Sequence, residues 1–474
     1  MRRPLSAALL AGLLASGCAL PTRTPYVMPS VQLPSAFQQA GTGRDATSPV
    51  REDPWWREFG DPQLDALIDL AIARNPDLAA AAVRVRRATL QARLTGNALL
   101  PVPGGNLSTG VNRPLSGTAG ATGNAGGNVG LGWEVDLFGR LGAQNDAARF
   151  EALATAEDRD AAFLSLVGTA ASLYWQIATA NERIAAAGES LDYTRRTQAL
   201  VDVQYRAGAV SLLERREAEQ SVTAQEASLS QLRQVRTEAR EALMVLLDGA
   251  APASEREALD RAPLPSVSAG LPAELLGRRP DLRAAELRLR ASLAGSDATR
   301  ASYYPALSLT GSLGTSSTGL LNLLANPVAV LGAGLSLPFL NARAMRLDTA
   351  IARTRYEEAV ILFRKSLHTA LAEVETALSA RGELEQQGRA LLRARDTARD
   401  AERLYEVRYR AGAVPLRLWL DAQDRRRNAD LALSGNLLAR LQNHVTLHQA
   451  LGGGFGLTNA QTRDAPVTGS PGDH

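Results

Sequence analysis

The sequence predicts a mainly α-helical chain with a smaller β part suited to a membrane, organised as a duplicated unit of long helical hairpins plus β-hairpins. Three observations predict it. The chain repeats at one constant offset, each repeat holds paired segments of period two, and each then runs into a long proline-free stretch of helical period.

The repeat is direct. Tyr205-Arg206-Ala207-Gly208-Ala209-Val210 returns letter for letter as Tyr409-Arg410-Ala411-Gly412-Ala413-Val414, an offset of 204 residues (409 − 205). Pro76-Asp77-Leu78 answers Pro280-Asp281-Leu282, Pro101 answers Pro305, and Gly130-Leu131 answers Gly334-Leu335. Solenoids repeat every few tens of residues, so each half here is a large unit. The repeats are placed at 51–252 and 271–456, joined by a linker at 253–270.

Each half opens with a helix, Pro76 to Leu99 and Pro280 to Tyr303. Proline suits a first helical turn, and Pro101 and Pro305 stop the helix at the far end. Alternation follows. Val129, Leu131, Trp133, Val135 and Leu137 interleave with Gly130, Gly132, Glu134 and Asp136. In the second half Leu331, Ala333, Leu335, Leu337 and Phe339 interleave with Gly332, Gly334, Ser336 and Pro338. Upstream partners are Leu107, Thr109 and Val111 in one half and Leu307, Leu309 and Leu313 in the other, across glycine-rich turns at Ser116–Gly127 and Gly314–Asn326. These read as strands with one apolar face.

No proline occurs from Leu115 to Ala251 or from Phe339 to Val414. Val360, Phe363, Leu367, Leu371, Val374 and Leu378 keep near-heptad spacing, as do Val222, Leu229 and Leu243 with Leu232, Ala239 and Leu246, interrupted by Arg236. Helices from Gly142 to Tyr205 and from Asn341 to Tyr409 would each be about 100 Å long at ~1.5 Å per residue. Seams of this length imply helices packed lengthwise on one another. Gly208 and Gly412 end the long helices and start the return helices.

The ends carry their own signals. Arg2 and Arg3, the apolar run from Leu5 to Leu14 and the small residues Ala15-Ser16-Gly17 read as an export signal over 1–17. Cys18, the single cysteine, follows as in a bacterial lipobox, whose thiol is acylated; the plain alternative is a signal peptide with a cysteine nearby by chance. Residues 18–50 are expected to be the anchor and an extended tether, and 457–474 a disordered tail.

Composition excludes several classes. A net charge of +3 spread along the chain offers no basic stripe for nucleic acid. One cysteine permits no intrachain disulfide. No stretch after residue 20 is expected to approach the ~18–20 apolar residues needed to cross a bilayer as a helix. His444 and His448 lie four apart without a third ligand, so no metal is expected. Gly452-Gly453-Gly454-Phe455-Gly456 follows no strand and is no phosphate loop. No nucleophile–base constellation stands out, no cofactor is expected, and the chain is expected not to be an enzyme.

One-sided strands need either a covering layer or a barrel with lipid outside and water inside. Four strands cannot close a barrel, and open edges in lipid cost several kcal/mol per unsatisfied group. Two copies would give eight strands and three would give twelve. An eight-stranded barrel is filled by its own side chains, so a conduit favours three.

From Cys18 to about Gly454 the chain resembles the outer membrane factor family of TolC-like channels, and within it the NodT-type lipoproteins. The resemblance rests on the lipobox, Trp55-Trp56 with Phe59 and Asp61-Pro62, the Pro-Asp-Leu pair, Glu134-Val135-Asp136-Leu137-Phe138-Gly139, and the doubled Tyr-Arg-Ala-Gly turn followed by Leu420-Asp421-Ala422-Gln423. It implies a homotrimer whose twelve-stranded β-barrel in the outer membrane is continuous with an α-helical barrel in the periplasm. It also implies a passive exit duct for drugs or other small molecules, working with a periplasmic adaptor and an inner-membrane pump.

By that resemblance Cys18 carries lipid, and Arg206, Gly208, Arg410 and Gly412 lie at the periplasmic tip that docks the adaptor. Asp421 rings the narrow aperture, Leu418 stands where a second acidic ring occurs in relatives, and Tyr409 holds the tip shut by an interhelical hydrogen bond. The bland readings are a chain reversal for the glycines, a solvated helix carboxylate for Asp421 and simple packing for Tyr409. The competing function is a lipid-tethered periplasmic coiled-coil scaffold, which would have no need of lipid-facing strands.

Overall fold

A computed structural model describes residues 23–39, 54–116, 120–317 and 327–453. The signal segment, Cys18, most of the second glycine-rich turn and the tail from 457 lie outside the described residues.

The elements appear twice at the same offset. The first set is α2 (Pro76–Asn97), β1 (Val102–Asn112), β2 (Thr122–Val135), α3 (Arg140–Arg206) and α4 (Leu212–Leu246), preceded by α1 (Pro62–Arg74). The second is α5 (Pro280–Ala301), β3 (Ala306–Ser317), β4 (Pro327–Ser336), α6 (Ala342–Arg410) and α7 (Leu416–Ala450). The strands are longer than the alternation suggested. β2 begins at Thr122 and β3 runs to Ser317, so both extend into the stretches read as turns.

The chain forms two compact units. The first comprises Met1–Val31, Ala82–Asp158 and Arg283–Ser366. It holds one antiparallel sheet in the order β1-β2-β3-β4. Its register places odd-numbered residues together on one face: Leu131 opposite Pro103 and Gly311, Val129 opposite Gly105 and Leu313, and Leu335 opposite Leu307. That face carries Leu107, Val129, Leu131, Leu313 and Leu331. Leu131 is 54% and Leu331 91% exposed, so nothing among the described residues covers it. The other face carries Asn106, Ser108, Asn128, Ser308, Thr310 and Ser312, interspersed with glycine. Val328 and Val330 depart from the pattern and lie exposed on this second face.

The strand-to-helix corner explains the Glu134–Gly139 motif. Glu134 forks onto Arg140, both carboxylate oxygens 2.7 Å from Nη2. Asp136 accepts hydrogen bonds from the amides of Leu141 at 3.0 Å and Gly142 at 2.7 Å, satisfying free donors in the first turn of α3. Phe138 stacks on Tyr304 with centroids 4.9 Å apart. The described part of the expected tether is docked rather than loose: Thr24 donates from its amide and its hydroxyl to Asp297, each at 2.7 Å, and Arg23 pairs with Asp146 at 3.0 Å.

The second unit comprises Gln32–Ala81, Arg159–Leu282 and Leu367–His474. Its core gathers Trp55, Trp56, Leu64, Ile68, Val167, Ala171, Trp175 and Val445. Helix α1, which periodicity alone does not predict, is short and one-sided. Pro62 starts it, Asp61 caps it by accepting from the amides of Gln63 and Leu64, and Leu64, Leu67, Ile68 and Ala71 face inward. Asp61 also pairs with Arg256 of the linker and accepts a 2.8 Å hydrogen bond from Tyr174. Here too the N-terminal strand of chain is held, with Phe37 buried and the Gln38 amide donating to Glu375 at 2.6 Å.

One expectation needs correction. Residues 161–180 carry no charge, and α3 is long and apolar enough to cross a membrane by length and composition. The reason is local: Phe163, Leu166, Val167, Ala170, Ala171, Trp175 and Ala178 are core residues of this unit. The expected seams are buried, with Val222, Leu229, Ala239 and Leu243 on α4 and Phe363, Leu367, Val374 and Leu378 on α6. The α6–α7 hairpin adds two polar rungs a heptad apart. Asn436 donates to the Leu384 carbonyl and Asn443 to the Ala377 carbonyl, each at 3.0 Å.

Candidate functional site

The repeated Tyr-Arg-Ala-Gly turns close both long hairpins, and their backbones match bond for bond. In the first, the Gly208 amide donates to the Tyr205 carbonyl at 3.0 Å and the Ala209 amide to the Gln204 carbonyl at 2.9 Å. In the second, Gly412 donates to Tyr409 and Ala413 to Arg408, both at 2.9 Å. Both glycines are left-handed, with φ of 74° and 73°. A side chain is disfavoured there by backbone strain alone, because an added Cβ would meet nothing within 4 Å. Arg206 and Arg410 are exposed, and Arg410 pairs with Glu406 one turn earlier at 2.6 Å.

The side chains around the two turns differ. Tyr205 is partly exposed, with the Arg215 guanidinium 5.4 Å from its ring centroid. Tyr409, its counterpart, is 9% exposed and stacks on Trp419 at 5.1 Å, within a cluster of Val201, Ala218, Leu416 and Leu420. The Tyr409 hydroxyl donates to the Gln204 side-chain carbonyl at 2.9 Å, joining α6 to α3. Burial pushes its phenol pKa up, with Glu214 adding to the effect, so the hydroxyl remains a donor. Tyr193 packs edge-on to Trp419 and is pushed up to about 12 by burial and then by Glu406 and Glu402.

The first two turns of α7 present Leu418 exposed and Asp421 half-buried, three residues apart on a shared side. Trp419, Leu420, Ala422 and Gln423 are buried. Of the predicted gate residues, Tyr409 belongs to the hydrogen-bonded aromatic cluster, while Leu418 is exposed and Asp421 half-buried. Gln204, Trp419 and Val201 are functional candidates that sequence reasoning missed. The signal was available for Trp419, where the repeat swaps Arg215 for an aromatic residue, but not for Gln204, which only three-dimensional packing brings to Tyr409.

His444 and His448 belong to the core. Their Nε2 atoms share one hydrogen bond at 3.1 Å, with Trp55 stacked on His448 and Phe59 edge-on to His444, both at 5.1 Å. Burial, then Arg381, lowers His444 to about 4; burial, then His444, lowers His448 to about 3. Two neutral rings satisfying each other suit a core hydrogen bond better than a metal.

The chain matches the family described as "Outer membrane efflux protein" over residues 67–249 and 271–453, one match per repeat. It is 32% identical over 464 residues to the pyoverdine export outer membrane protein OpmQ of Pseudomonas aeruginosa, covering 95% of this chain and 96% of that protein. It is 32% identical over 477 residues to outer membrane protein OprJ of the same species, covering 96% and 97%. The open-state MtrE outer membrane channel of Neisseria gonorrhoeae superposes with a TM-score of 0.79 at 29% identity, over 91% of this chain and 98% of that one. With one match per repeat, and relatives and a channel structure aligned along nearly their whole length, the chain belongs to the outer membrane efflux protein family, the TolC-like channels of tripartite efflux systems.

Proposed function

We propose that three copies of the chain assemble in the outer membrane into one passive duct, each giving four strands to a twelve-stranded barrel and two long hairpins to an α-helical barrel reaching into the periplasm. The observation that carries this is the sheet whose apolar face is uncovered and whose two edges are unpaired among the described residues. Such a sheet is stable in lipid only when closed. The two repeats, 51–252 and 271–456, supply alternating parts of the wall, joined by the linker at 253–270. The chain performs no catalysis, and its driving force comes from an inner-membrane pump acting through a periplasmic adaptor. Its cargo is drugs or other small molecules.

Cys18 carries acyl chains that add to the barrel's own hold on the membrane. The turns at Arg206–Gly208 and Arg410–Gly412 dock the adaptor. The Tyr409–Gln204 bond keeps the hairpins gathered, and Asp421 with Leu418 lines the aperture, where three carboxylates around one axis favour cations. The scaffold alternative leaves the apolar sheet face without a purpose.

The test is electrical. Detergent-extracted protein, expected as a heat-modifiable trimer from the outer-membrane fraction, is recorded in planar bilayers as wild type and Asp421→Ala. The wild type should conduct with a cation preference that falls in the variant. A water-soluble monomer would sink the duct; unchanged selectivity would move the gate away from Asp421.

A further inference from the structure

The two long hairpins share one plan, and the α6–α7 hairpin departs from it at one level. In the α3–α4 hairpin Leu191 clusters with Val222 and Leu229, with Ile184 and Ala187 packed against them. Beside that apolar seam Arg195 reaches from α3 to α4 and pairs with Glu226 at 2.7 Å. The repeat offset carries Leu191 to Arg395, Val222 to Arg426, Arg195 to Arg399 and Glu226 to Asp430. Two buried apolar residues thus become arginines, while both members of the cross-hairpin ion pair keep their charge.

That ion pair is nevertheless broken in the second hairpin. Arg426, standing where the seam has valine, takes Asp430 at 3.0 Å and pairs with Glu402 as well. Glu406 is held by Arg410 at 2.6 Å, and Arg395 by Asp396 at 2.9 Å. Arg399 is left without the partner its counterpart has. Arg403 stands where the first repeat has Ala199. Both arginines are exposed, and neither makes an ion pair or side-chain hydrogen bond among the described residues. Of the acids beside them, only Asp400 is uncommitted.

In place of an apolar seam, a cleft of about 490 Å³ opens here, lined by four arginines and four acids and by no apolar side chain. Arg395, Arg399 and Arg403 follow at i, i+4 and i+8, so their side chains stand in one row along α6. Like charges at that spacing repel one another. A guanidinium binds a carboxylate through two parallel hydrogen bonds. Successive residues of the row are about 5–6 Å apart, which suits two carboxylates of one small molecule.

We propose that this cleft binds a small molecule carrying two or more carboxylates, gripped by Arg399 and Arg403. The site lies within the second unit of one copy, so it goes beyond the duct and stands apart from it. Arg395 and Arg426, already paired, add positive potential at the rim. Asp400 opposes the ligand and gives the test a second, opposite sign.

Citrate is the probe, titrated calorimetrically at low salt into the full-length protein in its detergent-extracted assembly. Arg399→Gln and Arg403→Gln should each weaken citrate about tenfold or more, the scale of a lost hydrogen bond between charged groups. Asp400→Asn should tighten it severalfold by removing a like charge. Acetate, which fills one guanidinium only, should bind at least about tenfold more weakly than citrate. Arg353→Gln is the control. Arg353 is another exposed arginine of α6, paired with Glu357, and its loss should leave citrate affinity unchanged. Both cleft arginines are exposed, so the variants should assemble as the wild type does, which heat-modifiable migration checks.

Absence of citrate binding to the wild type overturns the site. Affinity unchanged in both cleft variants, or lowered equally by Arg353→Gln, overturns its location. Inorganic phosphate competing as strongly as citrate overturns the carboxylate assignment. A water-soluble monomer that still binds citrate would keep the site and lose the duct, so the two readings fail separately.

Discussion

At the scale of single residues the buried histidine pair makes an acid-labile point in the core of the second unit. Both rings have pKa values below the ordinary ~6.5 of an unfolded histidine, at about 4 and about 3. The unfolded chain therefore binds protons first as pH falls. Their contribution is complete above about pH 6.5 and is lost progressively towards pH 3–4. Each tenfold loss of proton affinity on folding is worth about 1.4 kcal/mol, so the pair can remove several kcal/mol from the second unit. A second proton would also set two cations face to face, with Arg381 adding to the repulsion. Replacing both rings by glutamine (His444→Gln with His448→Gln) lowers stability at neutral pH by removing the stack with Trp55 and the edge-on contact with Phe59. It should also cut the fall in melting temperature between pH 6.5 and 4 by more than half. An unchanged pH slope would assign acid lability to the carboxylates instead.

At the scale of elements the hairpin turns separate backbone strain from docking. Valine at position 208 or 412 places a β-branched residue at φ above 70°, costing about 1–2 kcal/mol. An added Cβ meets no neighbour within 4 Å at either position, so trimers should persist in Gly208→Val and Gly412→Val. If the turns dock the adaptor, substrate efflux falls at least tenfold; retained efflux in both variants moves docking elsewhere. These turns were legible because repetition and glycine act locally on the backbone. The strands and long helices were legible for the same reason, since alternation and heptad spacing each fix a face. What stayed hidden depends on partners distant in sequence. Helix α1 is held by Tyr174, Arg256 and the aromatic core. The residues near Thr24 are ordered by Asp297, and the charge-free stretch of α3, passed over in the sequence, takes its apolar character from the core that covers it. The Asn436 and Asn443 rungs have Leu232 and Ala239 as their counterparts in the first repeat, so no repeat signal announced them.

For the whole molecule the proposed duct requires one face of the sheet to meet lipid and the other to meet water. Adjacent residues of β2 test it at a single height. Val129 lies exposed on the apolar face opposite Gly105 and Leu313, while Asn128 lies on the polar face opposite Asn106 and Gly314. An arginine on the lipid side of a barrel costs about 2–4 kcal/mol near the bilayer midplane and about 0–1 near its edges, whereas one on the lumen side stays in water. Val129→Arg should therefore reduce the yield of heat-modifiable trimer in the outer membrane severalfold. Asn128→Arg, with only Gly314 opposite on β3, should assemble at near wild-type yield. It should shift single-channel selectivity towards anions, because three added guanidinium groups line one lumen. The reverse outcome would invert the sheet and place Leu131 and Leu331 inside. Equal tolerance of both substitutions would mean that neither face meets lipid, as the soluble scaffold requires. The pair of variants thus separates duct from scaffold without knowledge of cargo, pump or adaptor, because it depends only on the solvent each face of the sheet meets.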